Sequence, residues 1–261
     1  MNKPLISVVL PAYNEANYVG DAILSLRTQK YGNLEVIVVP NACTDKTAEV
    51  ASMFADQVIE TPVQGISHAR NIGYAASKGD IVAFMDSDSR AAPNLLETVA
   101  KLCSRGYDCG KAKIRPSDDH RLRAVIWCWY VEHVSRQAEK VGKGQNGAGA
   151  FMFLTRDLGK RVELPEGKLF REDLRVMEDV DLLNRLVQAG KYKFVTESCL
   201  YTSMRRFIEE GYVHCFNEDN KHFDDPQGKT RARWNESPEA NLERPLPVTE
   251  SSRVQKSKGT R

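Results

Sequence analysis

The first hundred residues alternate short β-branched runs with longer stretches of helical periodicity, the pattern of βαβ units wound about a mainly parallel sheet. Ile6-Ser7-Val8-Val9-Leu10 reads as a first strand and Glu35-Val36-Ile37-Val38-Val39 as a second. The unbroken apolar character of the second implies burial on both faces, and Pro40 stops it. Between them Val19, Ile23, Leu24 and Leu26 predict a helix over about Tyr18 to Gln29. Asp45 suits the positive end of the next helix, and Gln57 to Glu60 reads as a short strand. A helix over Ser67 to Ser77 follows, with Gly79 expected as its left-handed cap. Ile81 to Met85 is a further central strand, and Pro93 opens a helix that runs to about Arg105.

Beyond Gly106 the alternation loosens. A strand over Lys111 to Ile114 precedes a polar break at Pro116 to His120, an aromatic-rich segment to about Glu139, and a glycine cluster at Gly142, Gly144, Gly147 and Gly149. A strand over Phe151 to Leu154 comes next. The helix Asp179 to Ala189 is expected to turn Val180, Leu183, Leu186 and Val187 inward and to end at Gly190. After Phe216 charges alternate with Pro226, Pro238, Pro245 and Pro247. These shifts divide the 261 residues into a main α/β segment, 1–110, a smaller subdomain, 111–215, and a charged, weakly structured tail, 216–261.

With 41% hydrophobic residues the chain has enough apolar surface for a large core, which excludes disorder throughout. Lys plus Arg (37) nearly balance Asp plus Glu (35), so no whole-molecule field gathers nucleic acid, and an anion must be met by a local site. The six cysteines form no C-x-x-C pair and read as ordinary thiols in a reducing compartment. No signal peptide is read at the start, and the longest apolar run, Ala124 to Val131, is far short of the ~20 residues that span a bilayer. The expectation is a soluble, cytoplasmic protein without a transmembrane segment, with peripheral membrane contact left open.

Candidate chemistry collects where strands end. Asp86 and Asp88 follow a buried strand directly, placing two carboxylates at the carboxyl edge of the sheet, where open α/β folds bind ligands and a hard divalent cation finds oxygen donors. Pro11 to Glu15 follows the first strand and Asn41 to Asp45 the second. Arg70 offers a planar fork for a diphosphate. Alone, each has a plain structural explanation as turn, cap or surface residue; it is their shared rim that points to a site.

The ordered series P-A-Y-N-E, N-A-C-T-D-K-T, G-I-S-H-A-R-N-I-G, G-D-I-V-A-F-M-D-S-D and M-E-D-V-D-L-L-N-R-L resembles the family 2 glycosyltransferases over roughly residues 5 to 206. The resemblance implies a Rossmann-like GT-A fold: a mainly parallel central sheet flanked by helices, with 1–110 binding the nucleotide sugar and 111–215 the acceptor. It implies hexosyl- or N-acetylhexosaminyl-type transfer from a nucleotide-diphosphate donor, with inversion and with Mn or Mg as cofactor. It places Pro11, Tyr13 and Glu15 around the nucleoside, Asn41 near the base, Arg70 by the pyrophosphate, Asp86 at the ribose and metal, and Asp88 on the metal. Asp179 of the Glu178-Asp179 pair takes the general-base role, and Ser203-Met204-Arg205-Arg206 resembles a segment whose arginines approach the phosphates. Pro40 and Asn41 stand where the family commonly has an aspartate pair or Asp-Asn, so uracil is not singled out: UDP is the expected nucleotide, with GDP and dTDP open.

The acceptor is a glycan, a lipid-linked group or another hydroxyl compound, with polyprenyl phosphate as the narrower alternative. A non-catalytic nucleotide-sugar-binding protein is the alternative from another class, kept open by Pro40 and Asn41; a nucleotidyltransferase is disfavoured by the lack of a glycine-rich loop near the start. Val125 to Val131 reads first as core and second as an acceptor platform. His214 or His222 would complete a metal site only if brought to it.

Overall fold

The computed structural model describes residues 3–140, 149–174 and 176–215. Its centre is one eight-stranded sheet: β1 (Ile6–Ala12), β2 (Leu34–Pro40), β3 (Gln57–Val58), β4 (Ile81–Met85), β5 (Arg90–Ala91), β6 (Cys109–Pro116), β7 (Phe151–Thr155) and β8 (Tyr192–Thr202), in the order β3-β2-β1-β4-β7-β6-β8-β5. The first four in that order run parallel, β7 is antiparallel to both neighbours, β6 and β8 are parallel, and β5 pairs antiparallel with β8. Strands from either side of residue 110 therefore share one sheet.

Helices cover both faces, which is why β1, β2 and β4 read as continuous apolar runs. Val8, Leu10, Val36, Val38, Ala83 and Met85 pack on one face with α1 (Val19–Arg27), α2 (Thr47–Ser52), α4 (Leu95–Ser104) and α5 (Leu122–Lys140). Val9, Ile37, Val39, Val82 and Phe84 pack on the other with α3 (Ile66–Ala76), α6 (Arg156–Val162) and α7 (Glu178–Ala189). A short helix, α8 (Arg205–Glu210), follows β8, and Tyr212 to Cys215 are helical as well.

Local expectations need several corrections. Gly79 is not a left-handed cap: α3 ends at an extended Ser77, and a Cβ on Gly79 would stand 2.5 Å from Ser7 Oγ, so close approach to β1 is what requires glycine. α7 does end at Gly190 as expected, with that glycine extended and a Cβ there meeting Leu158 and Asp108. Pro93 precedes the capping Asn94 rather than starting α4. On α7 the buried residues are Glu178, Leu182, Leu183 and Leu186, with Val180 and Val187 only partly covered. The face is rotated toward the packed Leu182.

The aromatic-rich segment is the nineteen-residue α5. Ala124, Cys128 and Val131 are core, but Val125, Ile126, Trp129 and Tyr130 are exposed, which corrects the expectation of a wholly buried stretch. Gly142, Gly144, Gly147, His222 and the tail expected over 216–261 lie outside the described residues.

Candidate functional site

The turns after β1 and β2 are laced into one structure by their polar side chains. Asn14 takes a left-handed conformation (φ 52°) and its Oδ1 accepts from the Thr44 amide at 2.8 Å. The Glu15 amide donates to Thr47 Oγ1 and the Ala16 amide to Asp45, whose other oxygen accepts from the Thr47 amide. Asp45 thus holds the first amide of α2 from just before the helix. Asn41 turns inward: it is buried, its Nδ2 donates to the Ala12 carbonyl at 2.7 Å, and its Oδ1 accepts from the Gly65 amide at 3.1 Å. With both ends of the amide engaged, Asn41 holds the β1 and α3 loops together instead of projecting to a ligand.

α3 carries three devices within one turn, at Arg70, Asn71 and Gly73. A Cβ on Gly73 would lie 2.2 Å from Val9 Cγ1, so glycine is what lets the helix sit down on β1. Asn71 uses its whole amide on the segment before α7: Oδ1 accepts from the amides of Leu169 and Phe170, and Nδ2 donates to the Phe170 carbonyl and to Glu172. Arg70 is 3% exposed and crosses from the D-x-D turn to α7, with Nη1 at 2.7 Å from Glu178 and Nη2 at 3.3 Å from Asp86. Its guanidinium lies over the Phe170 ring, which stands edge-on to Phe84. The fork expected for a diphosphate is therefore engaged by two carboxylates. Asn71 and the Phe170 platform carried no assigned role in the sequence reading; an Asn inside a helix, where it is a poor former, is the signal that its amide serves a distant segment.

Asp86 and Asp88 follow β4, with the Asp86 amide tied to the Ala150 carbonyl at 3.0 Å. Glu178 and Asp179 stand in the first turn of α7, where the helix dipole favours carboxylates, after a left-handed Met177 (φ 65°). The backbone of Gly149 lies against Asp179: a Cβ there would come within 2.2 Å of Oδ2. Arg205, the first residue of α8, forks onto both oxygens of Glu15, reaches Asp88 at 3.3 Å and stacks over Tyr18. Arg206 turns to Glu210 on its own helix, which separates the two arginines that the sequence left equivalent.

Five acids thus converge around two guanidinium groups. Burial pushes Asp86 up to about 7; Arg70 offsets part of this, while Asp88, Asp179 and Glu178 add to it. Burial likewise lifts Glu15 to about 7 against the pull of Arg205, and raises Asp88 and Glu178. Lys111, fully buried on β6, is drawn down to about 8 by desolvation, with Asp179 pulling the other way. It also escaped the sequence reading, since a lysine within a short strand gives no sign of facing inward. His214 is exposed, and among the described residues no group of three or more His, Cys, Asp or Glu side chains gathers to hold a metal. None of the six cysteines, all among the described residues, is in a disulfide.

Residues 7–161 match the family model described as glycosyl transferase family 2. An uncharacterized glycosyltransferase of Haemophilus influenzae is 40% identical over 103 residues, 37% of this chain and 41% of that protein. Among solved structures, the mannosyltransferase PcManGT from Pyrobaculum calidifontis, in complex with GDP-Man and Mn2+, matches with a TM-score of 0.63 at 20% identity, covering 85% of this chain and 65% of that one. Residues 1–349 of S. aureus TarS, in complex with UDP-GlcNAc, match with a TM-score of 0.60 at 18% identity over 76% and 58% of the respective chains. In each case the match spans less than two thirds of the relative's own length. The two structural likenesses bear on the fold, which is the GT-A arrangement of mainly parallel sheet and flanking helices.

Proposed function

The chain belongs to glycosyl transferase family 2, and from that premise we propose that it moves a sugar from a nucleoside diphosphate donor to an acceptor hydroxyl with inversion at the anomeric carbon. The observation that carries the reading is the meeting of the D-x-D turn and the Glu178-Asp179 helix start through one buried arginine bonded to Asp86 and Glu178, which supports a nucleotide-side role for Asp86 and the base role for Asp179 beside it. In the reaction the acceptor oxygen bonds to the anomeric carbon as the bond to the diphosphate oxygen breaks. The electron pair leaves with the diphosphate, and the acceptor proton passes to Asp179. Gly149 leaves room for the carboxylate and fixes its position from one side.

Pro11, Tyr13 and Glu15 border the nucleoside in this reading, and Arg205 steadies the diphosphate, exchanging its fork on Glu15 for phosphate oxygens. Arg70 acts as a positioning residue for Asp86 and Glu178. Asp86 and Asp88 offer hard oxygen donors that fit Mg or Mn, and two carboxylates suit an ion that takes its remaining ligands from water and substrate phosphate. Such an ion would supply neutralisation of charge on the leaving diphosphate. UDP is the expected nucleotide, and with Asn41 turned inward base selection falls to other side chains of the rim. The solved complexes with UDP-GlcNAc and GDP-Man support a nucleotide-sugar donor and frame the choice to test.

Asp179→Asn is the test. With UDP-, GDP- and dTDP-sugars compared first by thermal shift, the variant should keep donor binding and lose transfer by at least about a thousandfold. Turnover retained within tenfold would remove Asp179 from the base role.

A further inference from the structure

The outward face of α5 is apolar where a surface helix is ordinarily polar. Leu122, Val125, Ile126 and Trp129 recur at three- and four-residue intervals along one stripe, each at least 50% exposed. Val213, in the helical stretch that begins at Tyr212 after α8, is 74% exposed. Its neighbour Tyr212 stacks on Phe207 and sits under Arg123 of α5, and Phe207 packs on Trp127 at 5.0 Å. The apolar stripe and the Tyr212–Val213 segment are thus parts of one surface. That surface adjoins the site, because Phe207 is two residues from Arg205. A groove of about 180 Å³ opens beside Trp129, with Pro116 and Cys128 in its wall.

The charges of this face point one way. Arg121, Arg123 and Arg136 pair with Asp119 and Glu132, but the arginine side chains are 47–58% exposed while Asp119 is 1% and Glu132 14% exposed. The acids face the protein and the cations face out. Farther along the same stripe the exposed residues become His133, Arg136 and Lys140. An apolar helix face carrying a Trp and bordered by outward arginines matches the chemistry of an interfacial helix lying on an anionic bilayer. No helix among the described residues is long and apolar enough to cross a membrane.

We infer that α5 and the helical segment at Tyr212–Val213 form a docking surface for an anionic phospholipid bilayer, which holds the neighbouring site at the membrane plane. The surface stands on its own observations; its meaning for the acceptor, a hydroxyl or phosphate presented by a lipid, rests on the transfer reaction proposed above. The full chain is to be floated with vesicles of phosphatidylcholine alone and of phosphatidylcholine mixed with phosphatidylglycerol. It should rise with the mixed vesicles only, and less as salt is added. The triple variant L122S/I126S/W129S should partition at least about tenfold less. R136E with K140E, both at solvent-facing positions, should also weaken flotation, so the result does not hang on one variant.

Absence of flotation with anionic vesicles overturns the inference, as does flotation that both variants leave unchanged. A concentration-dependent dimer in sedimentation velocity that the triple variant abolishes would assign the face to a second copy instead. Nucleotide-sugar binding by the triple variant, read by thermal shift, should match the parent. A parent chain that floats but binds no nucleotide sugar would leave the surface standing and remove the transfer reaction.

Discussion

Replacing Arg70 with Met keeps most of the side-chain volume over Phe170 and removes the guanidinium that bridges Asp86 and Glu178. Both bonds, 2.7 Å to Glu178 and 3.3 Å to Asp86, are lost, and two carboxylates in a largely desolvated floor face each other with Asp179 beside them. Breaking a buried ion pair from one side costs about 3–5 kcal/mol, because the partner charge stays behind unpaired. For a domain of this size that is a fall of about 6–20 °C in the unfolding midpoint. The loss must depend on pH. Asp86 titrates at about 7 in the folded protein against 3.8 for a free carboxyl, so between those values the folded state holds a proton that the unfolded chain has released. Stability from this group is full below the lower value and is lost as pH rises through the upper one. Without Arg70 the folded value moves higher still, and the variant goes on losing stability at pH where the parent has levelled off. Thermal unfolding by circular dichroism at about pH 5 and about pH 9 should show a gap between parent and variant that is clearly larger at the alkaline end. The double variant R70M/E178Q should recover part of it. A gap below about 1 kcal/mol, or one that does not change with pH, would refute the view that Arg70 is the counter-charge of this cluster.

Two other perturbations test the site. Arg205→Gln should weaken nucleoside diphosphate binding about 10- to 100-fold by calorimetry, whereas Arg206→Gln, whose side chain turns to Glu210, should stay within about twofold; equal effects would undo the distinction between them. Gly149→Ala forces a methyl group into the Asp179 carboxylate and should lower kcat at least about tenfold with donor affinity kept, so an unchanged kcat in a steady-state assay would remove Gly149 from the site.

The strands of the nucleotide half were legible because helices cover both sides of the sheet, and a strand buried on both faces has no polar positions to interrupt it. The D-x-D turn and the Glu178-Asp179 helix start were legible because strand and helix ends announce themselves locally. What the sequence left hidden is long-range partner choice. Arg70 carries a fork that fits phosphate or carboxylate equally, and only the fold puts Glu178, 108 residues away, within reach. Asn41 offered an amide to a base until the turn at Ala42 (φ 52°) brought it against Ala12 and Gly65. The orientation of α5 was concealed for a different reason: with Ala124, Cys128 and Val131 inside and Val125, Ile126 and Trp129 outside, residues 124–131 are apolar all round, and periodicity carries no direction.

The two arginines that neutralise the acid cluster are not equivalent in what they permit. Arg70 is enclosed, bonded on two sides and seated on an aromatic ring, so moving it would strand Asp86 and Glu178 at once. It is a fixed part of the floor. Arg205 is 35% exposed and stands at the first position of a six-residue helix, held to Glu15 and Asp88 by its side chain. A diphosphate offers that guanidinium the same paired oxygens that Glu15 now supplies, and a divalent ion offers Asp88 a replacement for it. When such an exchange occurs, Glu15 is left without its counter-charge in a buried position, and because burial already holds it at about 7, it can take up a proton near neutral pH instead of remaining an unpaired anion. Donor binding above that pH should therefore be accompanied by proton uptake, which calorimetry in buffers of different ionisation enthalpy would register as a buffer-dependent heat that Glu15→Gln removes.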